Sequence, residues 1–441
     1  MMLNEKEAQR IIETILAASS ADDVEIAITG EASSNLRFAR NSVSTSGTSG
    51  NTTLTVSSTF GMKSGSATVN QTDAATLASV VKRAEELAKL APSDEEYLPP
   101  PGPQQYAEVK AYSPETAALS PDARARIAKD CIDEALAREV VAAGFIESGE
   151  TFSMIANNKG LRASHTATGL RYTVTARTGD GTGSGWGGGG HTDAAKLDGP
   201  AVSRRAISKA LSSRNPRAVD PGKYTVILEP EAVSNLLDTF GFRLDARSAD
   251  EGRSYFSDAG GKNKIGQTLF PEFVNISSDP AHPDAPGSPW GEDGLPTART
   301  SWIEHGVLKN LRYSRYWAAK KNVRPLPGPA NTIMEGGTGS IEDLIAATER
   351  GILITRFWYI RDVDPKTMLL TGLTRDGSFW IENGKIAYPV KNFRFNESPV
   401  AMLKNIEMMS KPFRMQNGTS ASLIPALKVK EFTFSSLSDA V

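Results

Sequence analysis

Apolar positions recur along this chain with two different periods, and the switches between them divide it into elements. Residues 1–21 set Glu5, Lys6, Glu7, Arg10 and Glu13 among apolar positions at helical spacing, which predicts an amphipathic helix and interrupts any signal-peptide core. Val24, Ile26 and Ile28 then alternate strictly, followed by Leu36 and Phe38 and by Leu54 and Val56. Ser/Thr/Gly-rich turns separate these runs, as they separate antiparallel strands. Helical spacing returns over residues 71–91, with Leu77, Val80, Val81, Ala84, Leu87 and Ala88 on one face and Thr72 or Asp73 as N-cap. A Pro-rich connector, 99–103, precedes a helix that opens on Ser120 as cap and Pro121 at the first helical position, with Gly144 near its far end. Cys131 lies inside that helix beside Ile127, Ile132 and Leu136, the setting of a buried structural thiol rather than a nucleophile.

Residues 144–178 read as strands, with Leu170, Tyr172 and Val174 alternating, and lead into a run, 179–190, that is mostly glycine. It lacks the Gly-Lys-Ser/Thr ending of a Walker loop and the spaced glycines of a dinucleotide fingerprint, so it is expected to be a flexible hairpin tip or mobile flap. Residues 192–213 are expected to be helical in their second half, after Gly199 and Pro200, and 215–222 have the composition of a linker. The expected domains are therefore 1–215 and 216–441. Beyond the linker, strands dominate. Residues 224–228 form a β run, and Trp302-Ile303-Glu304-His305-Gly306-Val307 is echoed by Trp380-Ile381-Glu382-Asn383-Gly384-Lys385, where Asn-Gly signals a hairpin. Short helices are expected at 231–240, 341–350 and 400–409. The class is α+β, with N-terminal helices and antiparallel strands and a C-terminal strand-rich, hairpin or barrel-like domain.

Composition narrows the function. Lys plus Arg total 49 and Asp plus Glu 51, a net charge of -2, so no general attraction to nucleic acid or to an anionic membrane is expected. No apolar run approaches the roughly 18 residues of a membrane span. The single cysteine excludes a disulfide framework and Cys-rich zinc modules and fits a reducing compartment, so the cytoplasm is the expected location. His165, His191, His282 and His305 are far apart, which leaves no local His-based zinc motif, and no Gly-x-Ser-x-Gly elbow is present.

Two polar constellations stand out. Asp238, Arg243, Asp245, Arg247, Asp250, Glu251 and Arg253 crowd one stretch, either a self-paired solvated surface or a groove for peptide termini or a partner chain. Arg356, Arg361, Asp362, Asp364 and Arg375 decorate strands carrying Phe357, Trp358 and Tyr359, either an interface edge or the polar face of a half-buried sheet.

Several ordered blocks carry a family resemblance: Arg40-Asn41-Ser42-Val43, the run from Tyr224 to Val233, Asp245-Ala246-Arg247-Ser248-Ala249-Asp250-Glu251-Gly252-Arg253-Ser254, Asp293-Gly294-Leu295-Pro296-Thr297, Thr371-Gly372-Leu373-Thr374-Arg375-Asp376-Gly377 and Ile381-Glu382-Asn383-Gly384-Lys385. Together they resemble the TldD/PmbA family, once called modulators of DNA gyrase. The resemblance implies a two-domain α+β protein tied to proteolysis, whose TldD branch is a metallopeptidase with His-Glu-x-x-x-His and a C-terminal Cys. Here Pro230 stands at the first His position, Glu231 matches the acid, Asn235 stands at the second His position, and no Cys follows Met409. Proline has no side-chain donor and an amide is a poor zinc ligand. The chain therefore resembles the PmbA, or TldE, branch, and the resemblance implies no cofactor in this chain and zinc on a TldD-type partner subunit. It further implies peptide or unfolded-protein substrates; the charge balance gives no nucleic-acid or membrane partner, and a homodimer is one form open to the isolated chain. Asp245, Arg247, Asp250, Glu251 and Arg253 are the candidate substrate or partner contacts, and no catalytic residue is assigned. A stand-alone peptide-binding or regulatory protein without hydrolysis is the alternative.

Overall fold

In a computed structural model, which describes residues 3–438, the chain is α+β and is built on two main sheets. The first is antiparallel, in the order β3-β2-β1-β4-β5-β6, from β1 (Asp23–Ala39), β2 (Ser42–Phe60), β3 (Lys63–Val69), β4 (Val140–Asn157), β5 (Arg162–Thr178) and β6 (Ser184–His191). Its alternation is the one expected: Val24, Ile26, Ile28, Leu36 and Phe38 of β1 all point to one buried face. Helices α1 (Glu5–Ala18) and α2 (Ala74–Leu90) cover one end of that face, while α4 (Pro121–Ala137), which follows the short α3 (Pro114–Ala117), and α5 (Gly199–Ser212) cover the other. Asp73, not Thr72, caps α2 by accepting from the Thr76 N–H at 3.0 Å, and Ser120 caps α4. The start of the expected first helix, Met1 and Met2, lies outside the described residues.

Three expectations are corrected here. The Ser120 helix ends at Ala137, and Gly144 lies inside β4, where a Cβ would fall 2.3 Å from the Phe38 ring. The helices expected at 341–350 and 400–409 are shorter, because Arg350 and Ile406 already begin strands. Most of the glycine run is no flap: only 179–183 form the hairpin tip, and the rest is strand β6 beneath α5. A Cβ on Gly185 or Gly187 would sit 2.2 Å from the Ala206 carbonyl oxygen or 2.3 Å from that of Val202, so the glycines let helix backbone lie directly on strand backbone.

The second sheet begins at β7 (Gly222–Leu228) and is followed by β8 (Ser257–Asp258), β9 (Lys262–Asn263), β10 (Ile276–Ser278), β11 (Thr300–Glu304), β12 (Val307–Leu308) and β13 (Ile333–Met334). Longer strands complete it: β14 (Arg350–Asp364), β15 (Leu369–Glu382), β16 (Lys385–Pro389), β17 (Phe393–Glu397), β18 (Ile406–Asn417) and β19 (Ser420–Leu437). β8 and β9 pair only with each other. The series β19-β17-β15-β14-β7 closes on itself, since β7 pairs with β14 in parallel and with β19 antiparallel. Closure leaves this ring of strands without a free edge. The two echoed segments are both hairpins, β11–β12 and β15–β16, and their turn residues His305-Gly306 and Asn383-Gly384 share positive φ values of 49°, 73°, 51° and 74°. Helix α6 (Pro230–Phe242) packs its Ala232, Val233, Leu236, Leu237 and Phe240 into the large core behind the barrel. Beyond it come α7 (Ala246–Asp250), α8 (Arg315–Lys321), α9 (Ile341–Ala346) and α10 (Pro399–Lys404). No helix among the described residues is long and apolar enough to cross a membrane.

Candidate functional site

The three motif positions lie together in the first turns of α6. Pro230 and Glu231 open the helix directly after β7, and Asn235 follows one turn on. Pro at the start is natural, because the missing N–H is one that no helix satisfies there. Asn235 directs its Oδ1 at the Phe357 N–H of β14, 3.2 Å away, and so ties the helix to the barrel edge. Burial pushes the Glu231 carboxyl up, against the opposing pull of Arg171 and Arg356 and a hydrogen bond from Asn235. Just before the helix, both carboxylate oxygens of Glu229 accept from the Lys209 ammonium of α5, at 2.6 and 2.5 Å, and the same ammonium donates to Thr355 Oγ1 at 3.1 Å. Burial pulls the Lys209 pKa down, while the Glu229 carboxylate holds the proton on. A second buried tie runs between the sheets. Asp376 accepts from Ser184 Oγ of β6 at 2.6 Å and from Arg356 Nε at 2.7 Å, and the Arg356 guanidinium lies 5.3 Å over the Trp186 ring.

A cleft of about 510 Å3 opens beside these residues. Its walls include Trp186 and the glycines 188–190 of β6, the first turns of α5 and α6 with Arg205 and Glu231, and Arg414 of β18. Arg414 spans the gap, donating to the carbonyls of Asp284 (2.6 Å) and Gly190 (2.8 Å) and to Thr192 Oγ1 (3.0 Å). Burial lowers its pKa to about 10, and it stays charged at neutral pH. His191, at the end of β6, is lowered to about 4 by burial and by Arg414, so it is neutral there.

A metal does not fit this donor set. Pro230 offers no atom, the Asn235 oxygen is engaged by backbone, and Glu231 is left without a neighbouring ligand; among the described residues no three His, Cys, Asp or Glu side chains are grouped to hold an ion.

The charged stretch after α6 is placed elsewhere, and none of it borders the cleft. Asp245 caps α7 and pairs with Arg312 at 3.0 Å; Arg247 grips both oxygens of Glu96 at 2.6 and 2.7 Å; Asp250 takes the Trp317 indole N–H at 2.8 Å and Lys321 at 3.2 Å. Glu251 and Arg253 are exposed, and Glu251 accepts from both Arg253 and Arg247, at 3.0 and 3.1 Å. Of the second constellation only Arg356 acts on the site, through its charge on Glu231, while Trp358 and Tyr359 lie on the outer part of β14 under Arg375 and Arg361. Sequence reasoning missed Lys209, Glu229, Asp376 and Arg414, which are joined only by tertiary structure.

The raised carboxyl of Glu231 has a testable consequence. A folded-state pKa above the unfolded value means that stability from this group is full below the unfolded pKa and is lost as pH rises through the folded one. Glu231→Gln is therefore expected to gain on the order of 1 kcal/mol at pH 7.5, with the gain vanishing near pH 4. Urea midpoints at the two pH values check this; a variant no more stable than the parent at pH 7.5 would refute the burial argument.

Comparison with known proteins bears directly on these residues. Residues 114–214 match the PmbA/TldA metallopeptidase central domain and 221–436 the PmbA/TldA metallopeptidase C-terminal domain. A zinc metalloprotease TldD homolog of Saccharolobus solfataricus is 27% identical over 241 residues, 49% of each chain. The metalloprotease PmbA of Escherichia coli O157:H7 is 24% identical over 229 residues, 50% of this chain and 49% of its own. The chain thus spans about half the length of the curated relatives it matches. The crystal structure of TldE from Thermococcus kodakarensis superposes with a TM-score of 0.85 at 20% identity, covering 97% of this chain and 99% of that one, a likeness of fold.

Proposed function

This chain belongs to the PmbA/TldD metallopeptidase family, and from that premise we propose that it is the non-zinc, TldE/PmbA-like subunit of a heteromeric peptidase that processes or degrades peptides and small unfolded proteins. The observation that supports the reading is α6 itself: Glu231 opens the helix beside a cleft, while the two positions matched to histidines hold Pro230, which has no donor atom, and Asn235, whose oxygen is engaged by backbone. Any metal chemistry then falls to a TldD-type partner, and this chain supplies binding surface. β6, the last strand of its sheet, suits that task. Gly188, Gly189 and Gly190 border the cleft, and an extended peptide adding there as a strand, read mainly through its backbone, would take over the Gly188 and Gly190 carbonyls that now accept from the Arg205 and Arg414 guanidiniums. In this reading residues 1–215 and 216–441 are two domains, and the protein works in the cytoplasm. Of the charged stretch, Arg253 is the residue most open to a partner or substrate, because Asp245, Arg247, Asp250 and Glu251 are tied within the chain.

The test is hydrolysis of an unfolded protein substrate by the metal-analysed chain alone and mixed with a TldD-type subunit from the same source. Cleavage and stoichiometric zinc only in the mixture are expected. Zinc binding and cleavage by the isolated chain would overturn the reading; peptide binding without cleavage in either sample would favour the stand-alone binding protein.

A further inference from the structure

We propose that the arginines where β5 and β6 meet the β14–β15 hairpin form a recognition site for a carboxylate of a bound peptide. The inference rests on the peptide-binding role proposed above and names the class of peptide. Strand geometry assembles the group. Leu170, Tyr172 and Val174 of β5 are buried in the core beneath α4 and α5, so alternation sends Arg171 to the opposite face. Thr175 shares that face with Arg171, and its partner across the ladder is Trp186 of β6. The Arg356 guanidinium lies 5.3 Å from the Trp186 ring centre, and Arg375 lies 4.2 Å from that of Trp358. Glu231 stands between the two sheets, where Arg171 and Arg356 both act on its carboxyl through their charge.

The charges of this group do not balance. Both oxygens of the buried Asp376 are taken, Oδ1 by Ser184 and Oδ2 by Arg356, and Arg375 approaches the same Oδ2 only to 3.9 Å. Arg171, half-buried, makes no hydrogen bond or ion pair among the described residues, even with Glu147 opposite it on β4. Glu231 is a weak counter-charge, because burial pushes its carboxyl up. Three guanidiniums thus share one acid in close contact. Water relieves the excess poorly, since the Arg356 and Arg375 side chains are only 21% and 20% exposed. Burial, and after it the charge of Arg356, accordingly pull the Arg375 pKa down against the opposing Asp376. An incoming carboxylate supplies the missing charge and accepts two parallel N–H bonds from a guanidinium fork. Trp186 and Glu231 also wall the cleft, so a peptide lying there can bring its C-terminus or an acidic side chain to this group.

The test is binding of three fluorescent, N-acetylated peptides to the full chain, followed by anisotropy. They share one otherwise uncharged sequence and end in a free acid, in an amide, or in an amide with one internal Glu. At least one of the two acidic peptides is expected to bind about tenfold or more tightly than the neutral amide, and the one that does identifies the source of the carboxylate. Arg171→Gln and Arg375→Gln should each abolish that preference, with near-UV circular dichroism separating a lost site from a folding defect. Three peptides bound equally by the parent, or a preference that survives both variants, would overturn this inference and leave the peptide-binding role standing. Failure of all three peptides to bind would overturn both.

Discussion

Replacing Lys209 by Met is expected to destabilise the chain by about 3–5 kcal/mol, a larger loss than an exposed ion pair could cause. The side chains of Lys209 and Glu229 are only 14% and 12% exposed, and the ammonium meets both carboxylate oxygens. Removing the cation strands a largely buried carboxylate without its counter-charge. Removing both charges should not, so Lys209→Met with Glu229→Gln is expected to recover most of the loss. Chemical denaturation of the parent, the single and the double variant decides the matter. Equal losses in single and double variants would mean that packing of α5, not the charge pair, is what the substitution damages. The pair also bears on function, because Glu229 is the residue before α6 and Lys209 belongs to the helix that lines the opposite wall of the cleft. The N-terminal layer thereby fixes where the first turn of α6 and Glu231 stand.

Local features were legible because local physics determines them. Ser120-Pro121 starts α4, Asp73 caps α2, and Asn383-Gly384 makes its hairpin turn, each from the conformational preference of a few adjacent residues. The candidate site was half legible. The resemblance singled out Pro230, Glu231 and Asn235, and the structure places them together in the first turns of α6, with the Asn235 oxygen accepting from the Phe357 N–H. What could not be read were contacts between distant segments: Lys209 with Glu229, Ser184 with Asp376, Arg414 with Gly190. No periodicity announces such pairs. The partners of the charged stretch were equally hidden, since Arg247 and Asp250 gain Glu96 and Trp317 from far along the chain. Barrel closure is likewise a long-range fact, resting on β7 finding β14 and β19.

The glycine run is the clearest case of a pattern that composition alone misreads, and it yields the second large effect. Gly185→Ala is expected to cost about 3 kcal/mol, at the upper end for overpacking, although alanine is ordinarily the better residue inside a strand. A Cβ there would lie 2.2 Å from the Ala206 carbonyl oxygen and 2.4 Å from the Ala210 nitrogen, both helix backbone atoms that no rotamer change can move. Gly179→Ala, where nothing lies within 4 Å, should stay within about 0.5 kcal/mol of the parent. A flexible flap predicts the opposite order, with both substitutions neutral or stabilising through loss of chain entropy. Urea midpoints of the two variants therefore separate a buried strand from a loop. The consequence reaches the cleft: relief of the clash must lift α5 from β6, and Lys209 sits on the turn of α5 that would move. Gly185→Ala and Lys209→Met should consequently be less than additive in combination, because each loosens the same contact between α5 and the start of α6.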